Sequence, residues 1–318
     1  MLTIPPGLDR QRSLGPEWAA WLDRLPGLVG DVVDGWELQL DGPLWHGFCS
    51  LVAPVHTPAG AEAVLKIGLP DDESEHEHLA LQRWRGRGVV RLLRADPARR
   101  ALLLERLDRV DLSDPARQRG ETRPSIGDQE ACEIVAGLYP RLHVPPMPQL
   151  REQASYVRRW AAAVERDADA VPVPRRLVEQ ALALAGDLCA EPPTAVIHGD
   201  LHYENVLLGE RGGEPTWLAI DPKPANGDPH YEIEPMLRNR FEEYGDVGSV
   251  RDGIRRRFHI LVDAAGLDEE RARDWVVVRS ILDAHWAFAD AVRADRAMSV
   301  AERDHVTRCI TVAKAVQG

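Results

Sequence analysis

The sequence predicts an α+β protein built from two lobes, a small antiparallel-sheet lobe followed by a larger, mainly helical lobe. Two observations carry this prediction. Short runs rich in β-branched and apolar residues dominate up to Leu107, and helical periodicity dominates from Asp128 onward. The 318 residues are enough to bury a core in each lobe. We place the lobes at residues 1–107 and 108–318.

The first lobe is predicted to begin with a helical lead-in over residues 1–34, because Trp18, Trp21 and Leu22 recur at helical spacing. We expect Pro26 and Gly27 to close this helix. A helix rich in Leu and Trp then precedes Gly86. Five strands complete the lobe, at 36–40, 48–55, 63–67, 89–93 and 101–107.

The second lobe follows a polar connecting stretch over residues 108–127. Its helices are predicted from apolar residues that recur every three or four positions. The predicted helical stretches are 128–143, 151–169, 174–190, 249–265, 268–296 and 299–316. A small pair of strands among them carries the polar loop described next.

That loop contains His198, Asp200 and Asn205, and a following strand delivers Asp221. A carboxylate at Asp200 can orient a substrate hydroxyl and accept its proton. The oxygens of Asn205 and Asp221 are hard ligands suited to Mg²⁺. The spacing H-x-D-x-x-x-x-N followed by a second Asp is that of phosphoryl transferases of the protein-kinase type. Any one of these residues taken alone is more often structural, as a loop hydrogen bond or a turn cap, so the prediction depends on the set.

Longer motifs carry a closer resemblance. They are H-G-D-L-H-Y-E-N-V-L at 198–207, W-L-A-I-D-P-K-P at 217–224 and G-D-P at 227–229. The chain resembles the aminoglycoside phosphotransferase-like kinases, within them the streptomycin 6-phosphotransferases and hydroxyurea phosphotransferases. The resemblance covers about residues 17–316 and implies a protein-kinase-like fold that uses ATP and Mg²⁺. It also implies transfer of a phosphoryl group to a hydroxyl of a small molecule.

Lys66 lies in the run A-V-L-K-I, which resembles the kinase strand whose lysine reaches the α- and β-phosphates. A strand lysine is otherwise usually a solvent-facing residue. We expect Glu77 to pair with Lys66, because the family has His-Glu at this point. Glu73 and Glu75 are the alternatives.

Adenine recognition is predicted from position alone. The run L-L-L-E-R-L at 102–107 fits the family and leads into the expected hinge, where backbone groups from Glu105 to Leu107 would bind the adenine edge. The turn at 41–47 stands where protein kinases have a glycine-rich loop but lacks its spacing. It is either a degenerate phosphate lid or a simple hairpin.

The sequence predicts the acceptor molecule less specifically than it predicts the catalytic residues. Glu234, Asp283 and Trp286 are candidates for its pocket, although a surface or packing role is open for each. The formal net charge of −12 argues against a nucleic-acid partner and suits a cationic substrate such as streptomycin. A sugar or amino-alcohol kinase of the same fold would share every catalytic residue. A non-catalytic nucleotide-binding protein would be expected to lose Lys66, Asp200 or Asp221.

The four cysteines are scattered without metal-ligand spacing, so we expect them to be reduced. The sequence contains no signal-peptide pattern and no apolar run of about 20 residues. We therefore expect a cytoplasmic protein that does not enter a membrane. The oligomeric state is left open.

Overall fold

A computed structural model describes residues 2–113 and 126–318 and has the predicted two-lobed, protein-kinase-like architecture. Most of the predicted connecting stretch 108–127 lies outside the described residues. The strands are β1 Gln39–Leu40, β2 Trp45–His46, β3 Ser50–His56, β4 Glu62–Gly68, β5 Leu92–Asp96, β6 Ala101–Glu105, β7 Ala195–Ile197, β8 Val206–Arg211, β9 Glu214–Ala219 and β10 Ala225–Gly227.

The helices of the described residues agree with the predicted stretches to within a few positions in the second lobe. Short 3₁₀ turns connect several of them, including Tyr203–Asn205 and Pro229–Ile233. The α-helices are α1 Pro6–Asp9, α2 Pro16–Gly35, α3 Glu77–Trp84, α4 Asp128–Leu142, α5 Gln153–Arg166, α6 Arg175–Leu188, α7 Glu234–Arg238, α8 Val250–Ala265, α9 Glu269–Arg293 and α10 Val300–Ala315.

The sheet of the first lobe is antiparallel throughout and has six strands, one more than predicted. Its order is β1-β3-β4-β6-β5, and β2 pairs with β3 outside this path. The extra strand lies inside the predicted turn 41–47, where Trp45 and His46 pair with Val52 and Leu51. The end of that stretch therefore forms the first arm of a β-hairpin whose second arm is β3.

The lead-in helix does not end at Pro26 and Gly27, so that prediction is wrong. Helix α2 continues to Gly35. A proline in a helix interior costs roughly 3 kcal/mol. The helix buries five large apolar side chains against the sheet, each worth about 1.5–3 kcal/mol, and this burial outweighs the lost hydrogen bond. The five residues are Trp21, Leu22, Leu25, Val29 and Val32.

Two predicted strands begin later than expected. The run from Trp36 is cut short because Trp36 still hydrogen-bonds into α2 and Glu37 has a positive φ of 55°. The strand predicted at 89–93 is displaced because Val89 and Val90 lie against Ala219 of the second lobe. The N–H of Val90 donates to the carbonyl of Ala219 at 2.9 Å. These backbone contacts tie the lobes together.

The core of the second lobe is continuous with one face of the first. A single cluster of buried side chains runs from α3, through β7 and the catalytic-loop strands, to the last helix. Two short antiparallel pairs, β7 with β10 and β8 with β9, are set into this helical lobe. Among the described residues, no helix combines the length and the apolar character that a membrane crossing requires.

Candidate active site

The polar loop 198–205 is fastened to the segment carrying Asp221 by three hydrogen bonds. The N–H of Ile220 donates to the carbonyl of Asn205 at 2.9 Å, and the N–H of Lys223 donates to the carbonyl of His198 at 2.8 Å. The ring Nε2 of His198 lies 3.0 Å from the carbonyl oxygen of Ile220. These bonds bring two segments about twenty residues apart into one rigid unit.

His198 is buried and has a structural role in this unit. Its Nδ1 lies 3.3 Å from the backbone N–H of Asp200, so the neutral tautomer with the proton on Nε2 satisfies both nitrogens. Burial lowers the pKa of His198, which favours that neutral form. The ring also stacks on Trp84 of α3, with 6.4 Å between ring centroids.

Two buried charges that the sequence reasoning missed hold the loop from the other side. Glu232 accepts hydrogen bonds from the backbone N–H groups of His198 and Gly199. Arg279 of α9 donates to the carbonyl of Gly199 at 2.6 Å and to that of Tyr231 at 3.1 Å. The only sequence signal for Glu232 is an acidic side chain that lies between Tyr231 and Ile233.

Asp200 lies in this unit with its side chain 27% exposed. Burial by itself would raise the pKa of its carboxyl group. The neighbouring basic side chains of His202, Arg238, Arg279 and Lys223 outweigh that effect and lower the pKa. Asp200 is therefore an ionised carboxylate at neutral pH, as a group that accepts a hydrogen bond from a substrate hydroxyl must be.

Asn205 and Asp221 offer oxygen atoms of the kind that a magnesium ion prefers. The Nδ2 of Asn205 donates to the carbonyl of Asp200 at 2.8 Å, and no donor among the described residues engages its Oδ1. Oδ1 of Asp221 accepts hydrogen bonds from two lysines, whereas no described residue donates to Oδ2. Each residue thus retains a free hard oxygen, so the donor set fits a divalent cation.

Asp221 adopts a left-handed conformation with φ 54°. For a residue other than glycine this costs about 1–2 kcal/mol, and aspartate is among the residues that tolerate it best. Such strain persists only where the surroundings fix it. Burial would raise the pKa of Asp221, but Lys223 and Lys66 lower it well below its usual range.

Lys66 on β4 lies between Glu77 of α3 and Asp221. Its Nζ is 2.7 Å from both carboxylate oxygens of Glu77 and 2.6 Å from Oδ1 of Asp221. Neither alternative, Glu73 or Glu75, is bonded to Lys66. Burial would lower the pKa of Lys66, but the two carboxylates more than offset it, so the ammonium remains charged.

Lys223 is a further cation of the site that the sequence reasoning did not select. Its Nζ lies 3.1 Å from Oδ1 of Asp221, and its side chain is only 13% exposed. It lines the same pocket as Lys66, together with Cys49 and Ser50 of the β2–β3 hairpin. The scarcity of lysine in this arginine-rich chain was the available signal, since it applies to Lys223 as well as to Lys66.

The adenine edge is predicted to bind backbone groups from Glu105 to Leu107, and the side chains of these two residues are engaged elsewhere. Glu105 forms an ion pair with Arg211, and its Oε1 accepts from the backbone N–H of Arg91 at 2.7 Å. The N–H of Glu105 donates to the carbonyl of Arg91 at 3.0 Å. Leu107 packs close to Gly209 of β8. The Glu105 N–H is thus committed to the sheet and is not available to an adenine edge, while the adenine contacts of the other backbone groups up to Leu107 stay a prediction.

The three predicted acceptor residues do not lie in equivalent surroundings. Glu234 is fully buried, with Oε1 3.2 Å from Nε of Arg238. Asp283 of α9 is 28% exposed and lies 3.1 Å from the same Nε. Trp286 is 42% exposed on the same helix. Glu234 is consequently a buried structural partner of Arg238, whereas Asp283 is accessible.

Tyr156 of α5 is a further, partly exposed residue of this region. Burial raises the pKa of Tyr156 well above its usual value, and the negative charges of Glu73 and Asp283 raise it further. Glu73 belongs to the loop of the first lobe between β4 and α3. The neighbouring Asp72 forms an ion pair of 2.9 Å with Arg159 of α5, so this loop meets α5 across the cleft.

Comparison with known proteins gives one family. The family described as aminoglycoside/hydroxyurea antibiotic resistance kinase matches residues 35–291. A streptomycin 6-kinase of Streptomyces griseus is 39% identical over 92% of this chain and 92% of its own. A hydroxyurea phosphotransferase of Kitasatospora aureofaciens is 40% identical over 89% of this chain and 79% of its own.

A solved structure supports the fold alone. The amicoumacin kinase hAmiN, in complex with AMP-PNP, Ca²⁺ and Ami, aligns with a TM-score of 0.58 at 14% identity and covers 95% of each chain.

Proposed function

The chain belongs to the aminoglycoside/hydroxyurea antibiotic resistance kinase family, and we propose that it transfers the γ-phosphoryl group of ATP to a hydroxyl of streptomycin. As a member of this family it is an ATP-dependent phosphotransferase. The observation that carries the proposal is the identity of 39% to a streptomycin 6-kinase over nearly the whole of both chains. The need for ATP supports a cytoplasmic location as part of this proposal.

In the proposed reaction Asp200 orients the acceptor hydroxyl and accepts its proton. The lowered pKa of Asp200 supports this role, because only the ionised carboxylate can accept. Lys66, fixed by Glu77, binds nucleotide phosphate oxygens. The rigid attachment of the catalytic loop to the Asp221 segment supports catalysis by positioning, which is the main contribution that proteins make to phosphoryl transfer.

Asn205 and Asp221 are the residues that would hold Mg²⁺. Their unengaged oxygens, Oδ1 and Oδ2, support this assignment. A bound Mg²⁺ would neutralise charge on the nucleotide phosphates. The protein itself contributes the fixed separation of these two side chains, because Ile220, which precedes Asp221, is hydrogen-bonded to Asn205.

A cationic acceptor is supported by the accessible carboxylate of Asp283. The ring of Tyr156 does not add to this support, because the guanidinium groups of Arg151 and Arg159 lie over it at 4.7 and 5.6 Å from its centroid. Asp283 is accessible, and its one ion-pair partner among the described residues is Arg238. The net charge of −12 would add a longer-range attraction for a polycation.

The test combines a measurement of streptomycin resistance in cells with a direct assay of ATP consumption by the purified protein. A streptomycin-sensitive bacterium expressing the chain should grow on streptomycin, and the purified protein should consume ATP when streptomycin is added. Asp200→Asn is the matched control, expressed to the same level, and should give neither result. Absence of protection together with turnover of a sugar or amino alcohol would replace this proposal with a metabolic kinase.

Hydroxyurea is the second candidate acceptor, because a hydroxyurea phosphotransferase is as similar as the streptomycin kinase. Hydroxyurea is small and neutral, so its turnover would not depend on acidic side chains that attract a cation. Measuring kcat/KM for both compounds at two salt concentrations separates the candidates. A polycation should be turned over less efficiently as salt rises, whereas hydroxyurea should be almost unaffected.

A further inference from the structure

Two of the three lysines in the chain donate to one oxygen atom. The lysines are Lys66, Lys223 and Lys314, and the other 36 of the 39 basic residues are arginine. Lys66 and Lys223 both donate to Oδ1 of Asp221. A lysine presents a compact point charge with rotatable donors, whereas an arginine presents a planar fork. The pair therefore places two compact cations beside the proposed metal ligand.

The two lysines differ in how many of their N–H donors have an acceptor. An ammonium group has three N–H donors. Lys66 has an acceptor for each of them, in the two oxygens of Glu77 and Oδ1 of Asp221, so its bond to Asp221 must be exchanged when it binds a nucleotide phosphate. Lys223 donates to Oδ1 of Asp221 alone among the described residues. Since its side chain is 13% exposed, Lys223 brings a largely buried ammonium with spare donors into the pocket.

The backbone of Lys223 is fixed against the catalytic loop. Its N–H donates to the carbonyl of His198, and its own carbonyl accepts from Arg151 at 3.4 Å. That carbonyl oxygen lies so close to Gly199 that a Cβ at position 199 would be 2.4 Å away. Gly199 also has a positive φ of 83°. Hence Lys223 cannot move relative to Asp200 without disturbing the loop that carries Asp200.

Lys223 is held against both parts of the proposed reaction centre. Its Nζ lies 3.1 Å from Oδ1 of Asp221, the proposed metal ligand, and its backbone N–H donates at 2.8 Å to the carbonyl of His198, two residues before Asp200. An ammonium fixed beside the proposed metal ligand, on a segment bonded to the loop of Asp200, is placed to meet a phosphoryl group that passes from nucleotide to acceptor. In other phosphoryl transferases a single added arginine in that region contributes about 10³–10⁵ in rate.

We propose that the ammonium of Lys223 contacts the transferring phosphoryl group and stabilises its charge in the transition state. This inference rests on the proposed function. The bond from the γ-phosphorus to the β,γ-bridging oxygen breaks, and ADP keeps that electron pair. The bond from the acceptor oxygen to phosphorus forms, and the hydroxyl proton passes to Asp200. Lys223 stays protonated throughout and only donates hydrogen bonds.

The test separates transition-state stabilisation from nucleotide binding. Lys223→Met removes the charge, and Lys223→Gln removes it while keeping an N–H donor for Asp221, so the second variant serves if the first fails to fold. Lys66→Met is the matched control at the neighbouring lysine. The measurements are kcat, the Kd for AMP-PNP, the Kd for ADP with aluminium fluoride as a mimic of the transferring group, and Tm.

Lys223→Gln is expected to lower kcat by about 10³-fold or more. Its binding of ADP with aluminium fluoride should weaken strongly, while its AMP-PNP Kd stays within a few-fold of wild type. Lys66→Met should weaken AMP-PNP binding itself. A wild-type kcat in Lys223→Gln overturns the inference, and so does a loss of AMP-PNP affinity equal to the loss of aluminium fluoride affinity. Both binding measurements work without an acceptor, so they decide the matter even if streptomycin is not the substrate.

Discussion

The two sides of the candidate site differ in how their charges are paired. We call the side formed by Lys66, Glu77, Asp221 and Lys223 the nucleotide side, where short ion pairs connect the charged groups in one network. On the acceptor side, near Asp283 and Tyr156, the arrangement is reversed: two carboxylates, the buried Glu234 and the partly exposed Asp283, pair with the single guanidinium group of Arg238.

The difference teaches where motif spacing is informative. On the nucleotide side each residue lies in a short sequence motif whose local backbone fixes it, so the order of the motifs along the chain indicates the site. On the acceptor side the residues come from α5, α9 and a loop of the other lobe. Whether these residues lie close together depends on how the helices pack, and a short sequence motif does not predict helix packing.

Apart from the variants of Lys223, the largest effect on kcat is expected from Asp200→Asn, which tests the link between the two sides. The amide is of similar size but cannot accept the proton of the acceptor hydroxyl. We expect kcat to fall by roughly 10²–10⁴-fold while the Kd for AMP-PNP stays near wild type. Steady-state kinetics and calorimetric binding check this. Wild-type turnover of the true acceptor would remove Asp200 from the mechanism.

A second large effect is expected from Asn205→Ala, which tests the metal assignment on the nucleotide side. The change removes the free Oδ1, and it also removes the Nδ2 bond to the carbonyl of Asp200. We expect activity to require a several-fold higher Mg²⁺ concentration, as a metal titration would measure. Asn205→Asp, which restores an oxygen ligand, is the control. An unchanged Mg²⁺ requirement in Asn205→Ala would place the metal on other residues.

Glu232→Gln should have an intermediate effect, on stability as well as rate. Glu232 is fully buried and accepts from two N–H groups of the loop. The amide has only one acceptor oxygen, so one buried donor is left unpaired at a cost of about 1–3 kcal/mol. Thermal unfolding at pH 7 should show a lower Tm, with kcat reduced because the loop is less firmly held.

The pH dependence of the stability of Glu232→Gln, compared with that of the wild type, tests whether Glu232 is charged in the folded protein. Burial would raise the pKa of Glu232, but its hydrogen bond with His143 and the loop N–H groups lower it below its usual range. Its contribution is therefore complete above about pH 4.5 and is lost as the pH falls below that value. The wild type should lose more stability than Glu232→Gln over this acidic range. Equal losses would show that Glu232 does not carry this charge in the folded protein.

The smallest effect is expected from Asp283→Asn on the acceptor side. Its carboxylate is partly exposed, and such charges usually contribute up to about 1 kcal/mol. We expect KM for streptomycin to rise by no more than a few-fold and its salt dependence to weaken, with kcat unchanged. Glu179→Gln, which changes a side chain of α6 that is 64% exposed, is the matched control for net charge. A fall in kcat without a change in KM would assign Asp283 to the chemistry instead.

The sequence by itself determined the fold class, most helix positions and the motifs that identify the kinase family. Repeating apolar positions predicted the helices of the second lobe because each of them buries one continuous face. Local preferences failed where longer-range contacts were stronger. Pro26 stays inside a helix because that helix packs on the sheet, and Val89 leaves its predicted strand to bond with Ala219.

Only the tertiary structure decided which polar residues hold the site together. Glu232 and Arg279 are 47 residues apart and meet on opposite sides of Gly199, while Lys223 directs its ammonium to the same oxygen as Lys66. The physical reason is that a buried N–H or carbonyl group must find a partner but does not specify where in the chain that partner comes from. The spacing of two residues in the sequence therefore predicts a contact between them only when the backbone that joins them is short and rigid.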